Sequence, residues 1–129
     1  MLLSDPQIVE AVTMDYVAEV PYIETTEQYQ RRILGQYDWD AEIAYKVMMA
    51  ESRGNPKAFN PEWHKGCQGS LGAMQMSCIH HRENPTALFD FEFNVQKAYE
   101  LYSSTYGDGS KVEWYPWGAC HDGKVYCGF

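Results

Sequence analysis

The stretch that most constrains this chain runs from Asp38 to Met76. Apolar residues recur at Trp39, Ile43 and Val47, and again at Ala44 and Met48. That spacing puts side chains on one face of a helix. We expect a helix over residues 39–53, capped by Asp38. Asp40 and Glu42 fall in its first turn, where the helix dipole favours negative charge, and Gly54, Asn55 and Pro56 end it. One turn beyond Val47 the stripe calls for another apolar side chain, and the sequence has Glu51 there. Desolvation disfavours the charged form of such a carboxyl and raises its pKa. A raised carboxylic acid is what acid catalysis near neutral pH requires. The bland alternative is a solvated glutamate at a fraying helix end.

Three more helices are expected. Asp5 and Pro6 suit the start of one over residues 5–20, with Ile8, Val9, Val12 and Tyr16 inward and Pro21 as its stop. Thr25 and Gln28 have the spacing of a capping box, opening a short helix that turns Tyr29 and Ile33 inward and ends at Gly35. Asp90 can cap the last, with Phe91, Val95, Ala98, Tyr99 and Tyr102 on its inner face and Gly107 as its end. Residues 55–70, rich in Asn, Pro, Gly and Lys, read as loop. Residues 71–79 are too short for periodicity to decide. With 129 residues and no repeats or linkers, the chain is expected to be one domain around a single core, mostly helical, with irregular loops and a small hairpin.

Ten Lys and Arg against 18 Asp and Glu leave a formal net charge of -8. This argues against a nucleic-acid partner, since phosphate binding needs clustered cations. It gives no help toward anionic membranes or wall polymers, which would repel the chain at low salt. No stretch approaches the roughly 20 apolar residues of a membrane span. The N-terminus lacks the basic and apolar regions of a signal peptide, so we expect earlier processing, or release by lysis or within a virus particle. The four cysteines pair most simply as Cys67–Cys78 and Cys120–Cys127, both short local loops, which implies an oxidising compartment. Four free thiols are the alternative.

The helix ends in Met48-Met49-Ala50-Glu51-Ser52-Arg53-Gly54-Asn55-Pro56-Lys57-Ala58, and Gly69-Ser70-Leu71-Gly72-Ala73-Met74-Gln75 follows. Leu88-Phe89-Asp90 with Asn94 comes next, then Trp114, Trp117, Gly123 and Tyr126. Taken in order, over roughly residues 38–127, this set closely resembles the catalytic domain of soluble lytic transglycosylases, with goose-type lysozymes more distant. The departures are Ala73 where the family has leucine, and a looser spacing before Tyr126. The resemblance implies an α+β, predominantly α-helical, lysozyme-like fold; residues 1–37 fall outside it and are expected to form an N-terminal helical extension. It implies cleavage of the β-1,4 bond between N-acetylmuramic acid and N-acetylglucosamine in peptidoglycan. Glu51 would be the single catalytic acid, Ser70, Met74 and Gln75 would bind the glycan, and Trp117 and Tyr126 would shape the groove. No cofactor or metal, no partner beyond the glycan strands and a monomeric, secreted, periplasmic or virion-associated protein are expected.

Other constellations compete. Glycosidases usually use two carboxyl groups; Glu62, Asp90 and Asp122 are available, and Glu62 is the best candidate to position a water if the enzyme is a hydrolytic lysozyme. His64, Cys67, Cys78, His80 and His81 bunch loosely but without zinc-site spacing. Cys67 lacks the context of a nucleophile. A non-catalytic glycan-binding or virion structural module is the reading from a different class.

Overall fold

The computed structural model describes residues 22–129, so the helix expected over 5–20 lies outside the described residues. The first described helix, α1, spans Thr26–Leu34. Thr25 and Gln28 cap it reciprocally, the Thr25 hydroxyl accepting from Gln28 N at 3.1 Å and the Gln28 amide oxygen accepting from Thr25 N at 2.9 Å. Gly35 follows as its C-cap. Ile33 and Leu34 are buried, and Tyr29 packs half-buried against the core.

Helix α2 spans Ala41–Ser52, and its cap is Asp40 rather than Asp38. The Asp40 carboxylate accepts from the N–H groups of Glu42 and Ile43 at 3.0 and 3.1 Å. The boundary moves because Trp39 does not belong to the helix. Its indole N–H donates to Leu34 O at 2.8 Å and its ring stacks on Trp114, so the chain turns into the helix only after it. At the other end Arg53 takes the left-handed conformation (φ 56°), one residue before Gly54. Ala44, Val47 and Met48 have no exposed surface, as the stripe requires.

Of residues 55–70, only 55–58 and the turn at 65–66 are loop. The others belong to β1 (Phe59–His64) and β2 (Cys67–Leu71), and β3 (Met76–Ser77) follows. The three form an antiparallel sheet in the order β1-β2-β3. Lys65 and Gly66 connect β1 to β2 with positive φ at both, 45° and 97°, the two-residue turn whose twist suits a hairpin. Pro61 is tolerated because β1 is an edge strand. The register slips between Asn60 and Trp63.

Helix α3 spans Phe91–Tyr102 behind its Asp90 cap. It stops at Ser103, well short of Gly107, where the chain turns back so that Glu113 N can bond Tyr102 O. Single turns of 3-10 helix at Cys78–His81, Pro85–Phe89 and Gly118–Cys120 complete the described elements. The core gathers α1, α2 and α3 around Leu34, Met48, Leu88 and Val95, with Trp39, Trp114 and Trp117 at one side. Both expected disulfides are present, Cys67–Cys78 and Cys120–Cys127. The architecture is α+β, as expected: three helices and a small three-stranded sheet among the described residues. No described helix is long and apolar enough to cross a membrane.

Candidate active site

A cleft of about 380 Å³ opens between the C-terminal end of α2 and the sheet. Glu51 lines it from the helix side, one turn beyond the buried Val47 and Met48. The residue is half-buried. Burial pushes its carboxyl above the usual carboxylate range, and Asp122 adds to that. A backbone N–H donated by Ala119 to Oε2 at 3.4 Å and the charge of Lys124 pull the other way without cancelling it. Ala119 sits in the Gly118–Cys120 turn, which the Cys120–Cys127 bridge anchors.

The next residue ties the helix end to the far side. Ser52 Oγ donates to Ala73 O at 2.6 Å and accepts from Gly54 N at 3.1 Å. Ala73 belongs to the turn between β2 and β3. That turn needs glycine at position 72: φ is 80°, and a Cβ there would strike the Asn94 amide and Leu88 O. Asn94, fully buried on α3, donates to Leu71 O and Leu88 O at 2.8 and 2.9 Å and accepts from Met74 N at 2.8 Å. Gly69, with φ 111°, meets the Phe59 ring where a side chain would stand.

The sheet forms the facing wall. Ser70 on β2 pairs with Asn60 on β1 and with Ser77 on β3, and all three line the cleft. A short polar rung therefore crosses the sheet in front of Glu51. Glu62 and His64 line the same cleft from β1. His64 Nε2 lies 3.2 Å from Ser70 Oγ. Gln75 lines it from the turn with φ 52°. Its amide nitrogen donates to Ala58 O and Gly72 O at 3.2 and 3.1 Å, which directs the amide oxygen away from both. Trp117 and Pro116 close one side, and the Trp117 indole N–H donates to Met74 O at 3.0 Å.

Of the residues singled out from sequence, the structure thus brings Glu51, Glu62, Ser70, Gln75 and Trp117 to one cleft. Met74 is fully buried behind the wall, and Met76 lines the cleft in its place. Tyr126 is 80 % exposed and is not part of the lining. Asp90 is used as a helix cap. Asn60, Ser77, Pro116 and Gly118 join the lining, as do His64 and His80, which the sequence offers as loosely spaced metal-ligand candidates. Alternation along a strand, Asn60-Glu62-His64, is the signal that would have found the β1 row. With Cys67 and Cys78 in a disulfide, no group of three or more ligand side chains among the described residues is placed to hold a metal. Burial, then Lys97 and His64, push the His80 imidazole below its ordinary pKa.

The arrangement offers one proton donor held partly dry, a facing row of hydrogen-bonding side chains and an aromatic edge. It suits acid-catalysed bond cleavage in a hydroxyl-rich ligand. Residues 30–119 match a family model described as a lysozyme-like domain. No curated protein and no solved structure matches the chain significantly.

Proposed function

The chain belongs to the family of lysozyme-like domains, and from that premise we propose that it cleaves the glycan strands of peptidoglycan at the β-1,4 bond between N-acetylmuramic acid and N-acetylglucosamine. One observation carries the reading: Glu51, its pKa raised by burial, lines the same cleft as Ser70 and Gln75. The reaction we favour is lytic transglycosylation. Glu51 in its acid form protonates the glycosidic oxygen as the bond to C1 of the muramic residue breaks. The resulting carboxylate then takes the proton of that sugar's C6 hydroxyl, whose oxygen attacks C1. The product is a 1,6-anhydro sugar, water is not consumed and Glu51 ends protonated. Ser70 and Gln75 would bind the amino sugar directly, and Trp117 would bound the groove. Met74 would act from behind through its backbone, and Tyr126 outside the cleft.

Hydrolysis is the second reading, because Glu62 lines the cleft with Glu51 and a second carboxylate can hold the attacking water. Residues 38–127 would carry the catalysis, with 1–37 as an extension. The two disulfides support action outside a reducing cytosol.

Digestion of purified sacculi followed by mass spectrometry separates the two reactions. Anhydro ends, lighter by one water, support transglycosylation; reducing ends support hydrolysis. Glu51→Gln should cut turnover by about 10²- to 10⁴-fold, the usual worth of a positioned acid, while glycan binding persists. Unchanged turnover in Glu51→Gln would remove Glu51 as the acid, and no turnover in the unmodified protein would leave a non-catalytic glycan-binding or virion structural module.

A further inference from the structure

His64 has no part in the chemistry above, yet it makes the side-chain contact that Ser70 has in the cleft. We propose that His64 is a positioning residue: it holds the Ser70 hydroxyl so that Ser70 presents a hydrogen-bond acceptor to the N–H of an acetamido sugar. This rests on the glycan-cleaving reading of the same cleft.

The argument begins with the hydroxyl. A serine O–H is a rotor with one proton and two lone pairs, and by itself it can donate or accept in several directions. In a neutral imidazole one ring nitrogen accepts. With Nε2 as that acceptor, Ser70 O–H points to His64 across 3.2 Å, and its lone pairs are left for the cleft. Gln75 is polarised in the same sense. Its amide nitrogen lies between two backbone carbonyls, so the orientation of the amide is fixed and its oxygen is an acceptor. Two acceptors on one wall complement a ligand that presents donors, as an acetamido N–H and sugar hydroxyls do. Glu51 in its acid form is the donor on the other wall.

His64 is also well placed to hold a fixed direction. It is the last residue of β1, paired with Cys67 across the Lys65–Gly66 turn. Cys67 is bonded to Cys78, so the end of the hairpin that carries His64 is anchored covalently. The register slip between Asn60 and Trp63 sets Ser70 opposite Asn60 and leaves His64 to reach back along the wall to Ser70.

The test is a double-mutant cycle in the Glu51→Gln protein. The probe is a tetramer of β-1,4-linked N-acetylglucosamine, and binding is read by calorimetry. Ser70→Ala and His64→Phe should each weaken binding by about three- to ten-fold, the worth of one hydrogen bond. The double variant should be no weaker than Ser70→Ala within about two-fold, because His64 acts through Ser70. His64→Gln, which can still accept from Ser70, should recover part of the loss. With Glu51 intact, His64→Phe should raise KM and leave kcat within about two-fold, the pattern of lost binding that is uniform between substrate and transition state. Losses that multiply in the double variant, or unchanged binding in His64→Phe, overturn the assignment. An unmodified protein that neither releases wall fragments nor binds the tetramer overturns the cleavage reading as well. A protein that does both while the cycle multiplies overturns only the role of His64.

Discussion

The two walls of the cleft are made of different material. The wall that carries Glu51 is a piece of the core: Ala44, Val47 and Met48 beneath it have no exposed surface. The facing wall hangs at the edge of the fold. Phe59, Asn60, Pro61, Glu62 and Trp63 of β1 are all exposed, and His64 is half-buried. A wall that is itself core keeps its shape by excluding water from apolar surface. The β1 part of that wall has little buried behind it, and three devices tether the sheet that carries it: the Cys67–Cys78 bridge, the turn at Gly72, and Asn94. The catalytic candidate thus stands on packing, and the ligand-contacting candidates stand on specific bonds.

The sharpest way to break that contrast is Asn94→Ala. It leaves Leu71 O, Leu88 O and Met74 N without the partner they share in a fully buried place. Unsatisfied buried groups cost about 1–3 kcal/mol each, so the loss in a denaturant titration should be about 3–5 kcal/mol. Activity per folded molecule should fall too, because Met74 and Leu71 flank the turn that sets Gln75. A loss below about 1 kcal/mol would show that the sheet wall is held by something other than Asn94.

Removing one disulfide at a time comes next. Cys67–Cys78 closes a loop of sequence separation 11 and Cys120–Cys127 one of 7. In the chain-entropy model these contribute about 3 and about 2.5 kcal/mol. The stability losses of the two Cys→Ser pairs should therefore be close. Their functional losses should differ. Opening Cys67–Cys78 loosens the hairpin with His64 and Ser70 and should raise KM. Opening Cys120–Cys127 loosens the turn that donates Ala119 N–H to Glu51 and should act on kcat and its pH profile. The same pattern for both pairs would remove the distinction between the walls.

The contrast also explains what could be seen in the sequence. Helical walls announce themselves locally: the stripe from Ile43 to Met48, the Thr25–Gln28 box and the Asp90 cap each need only near neighbours. The misplaced cap, Asp38 for Asp40, turned on Trp39, whose ring is claimed by Trp114 far along the chain. A small hairpin is expected, but its place in residues 59–71 is hidden because neither face of β1 is core. One face carries polar side chains to the cleft and the other leaves Phe59 and Trp63 50 % and 70 % exposed, so the alternation along β1 marks no buried row, and Pro61 in its middle reads as a loop residue. Between Met74 and Met76 the left-handed Gln75 reverses which side faces the cleft, and no local rule forecasts a positive φ at glutamine. Tyr126 points outward because its neighbours Val125 and Cys127 turn in, 7 % and 6 % exposed, one to the core and one to a disulfide.

The smallest expected effect concerns the helix wall alone. A carboxyl whose pKa is higher in the folded chain than in the unfolded one binds its proton more tightly when folded. It favours folding at low pH, where it is protonated in the native state. That contribution is lost as pH rises from the unfolded value through the folded value, and above both the buried charge is a net cost. Burial is the largest cause of the shift at Glu51, outweighing the Ala119 N–H and Lys124. Glu51→Gln removes the charge and keeps the shape. Its melting temperature should therefore exceed that of the unmodified protein at about pH 7–8, and the difference should vanish near pH 3, where both side chains are neutral. The activity of the unmodified protein should fall over the same window as the acid form is lost. A Glu51→Gln protein that melts lower at neutral pH would mean that Ala119 and Lys124 stabilise the carboxylate more than burial penalises it. The acid would then be supported by hydrogen bonding, as the sheet wall is, and not by the core.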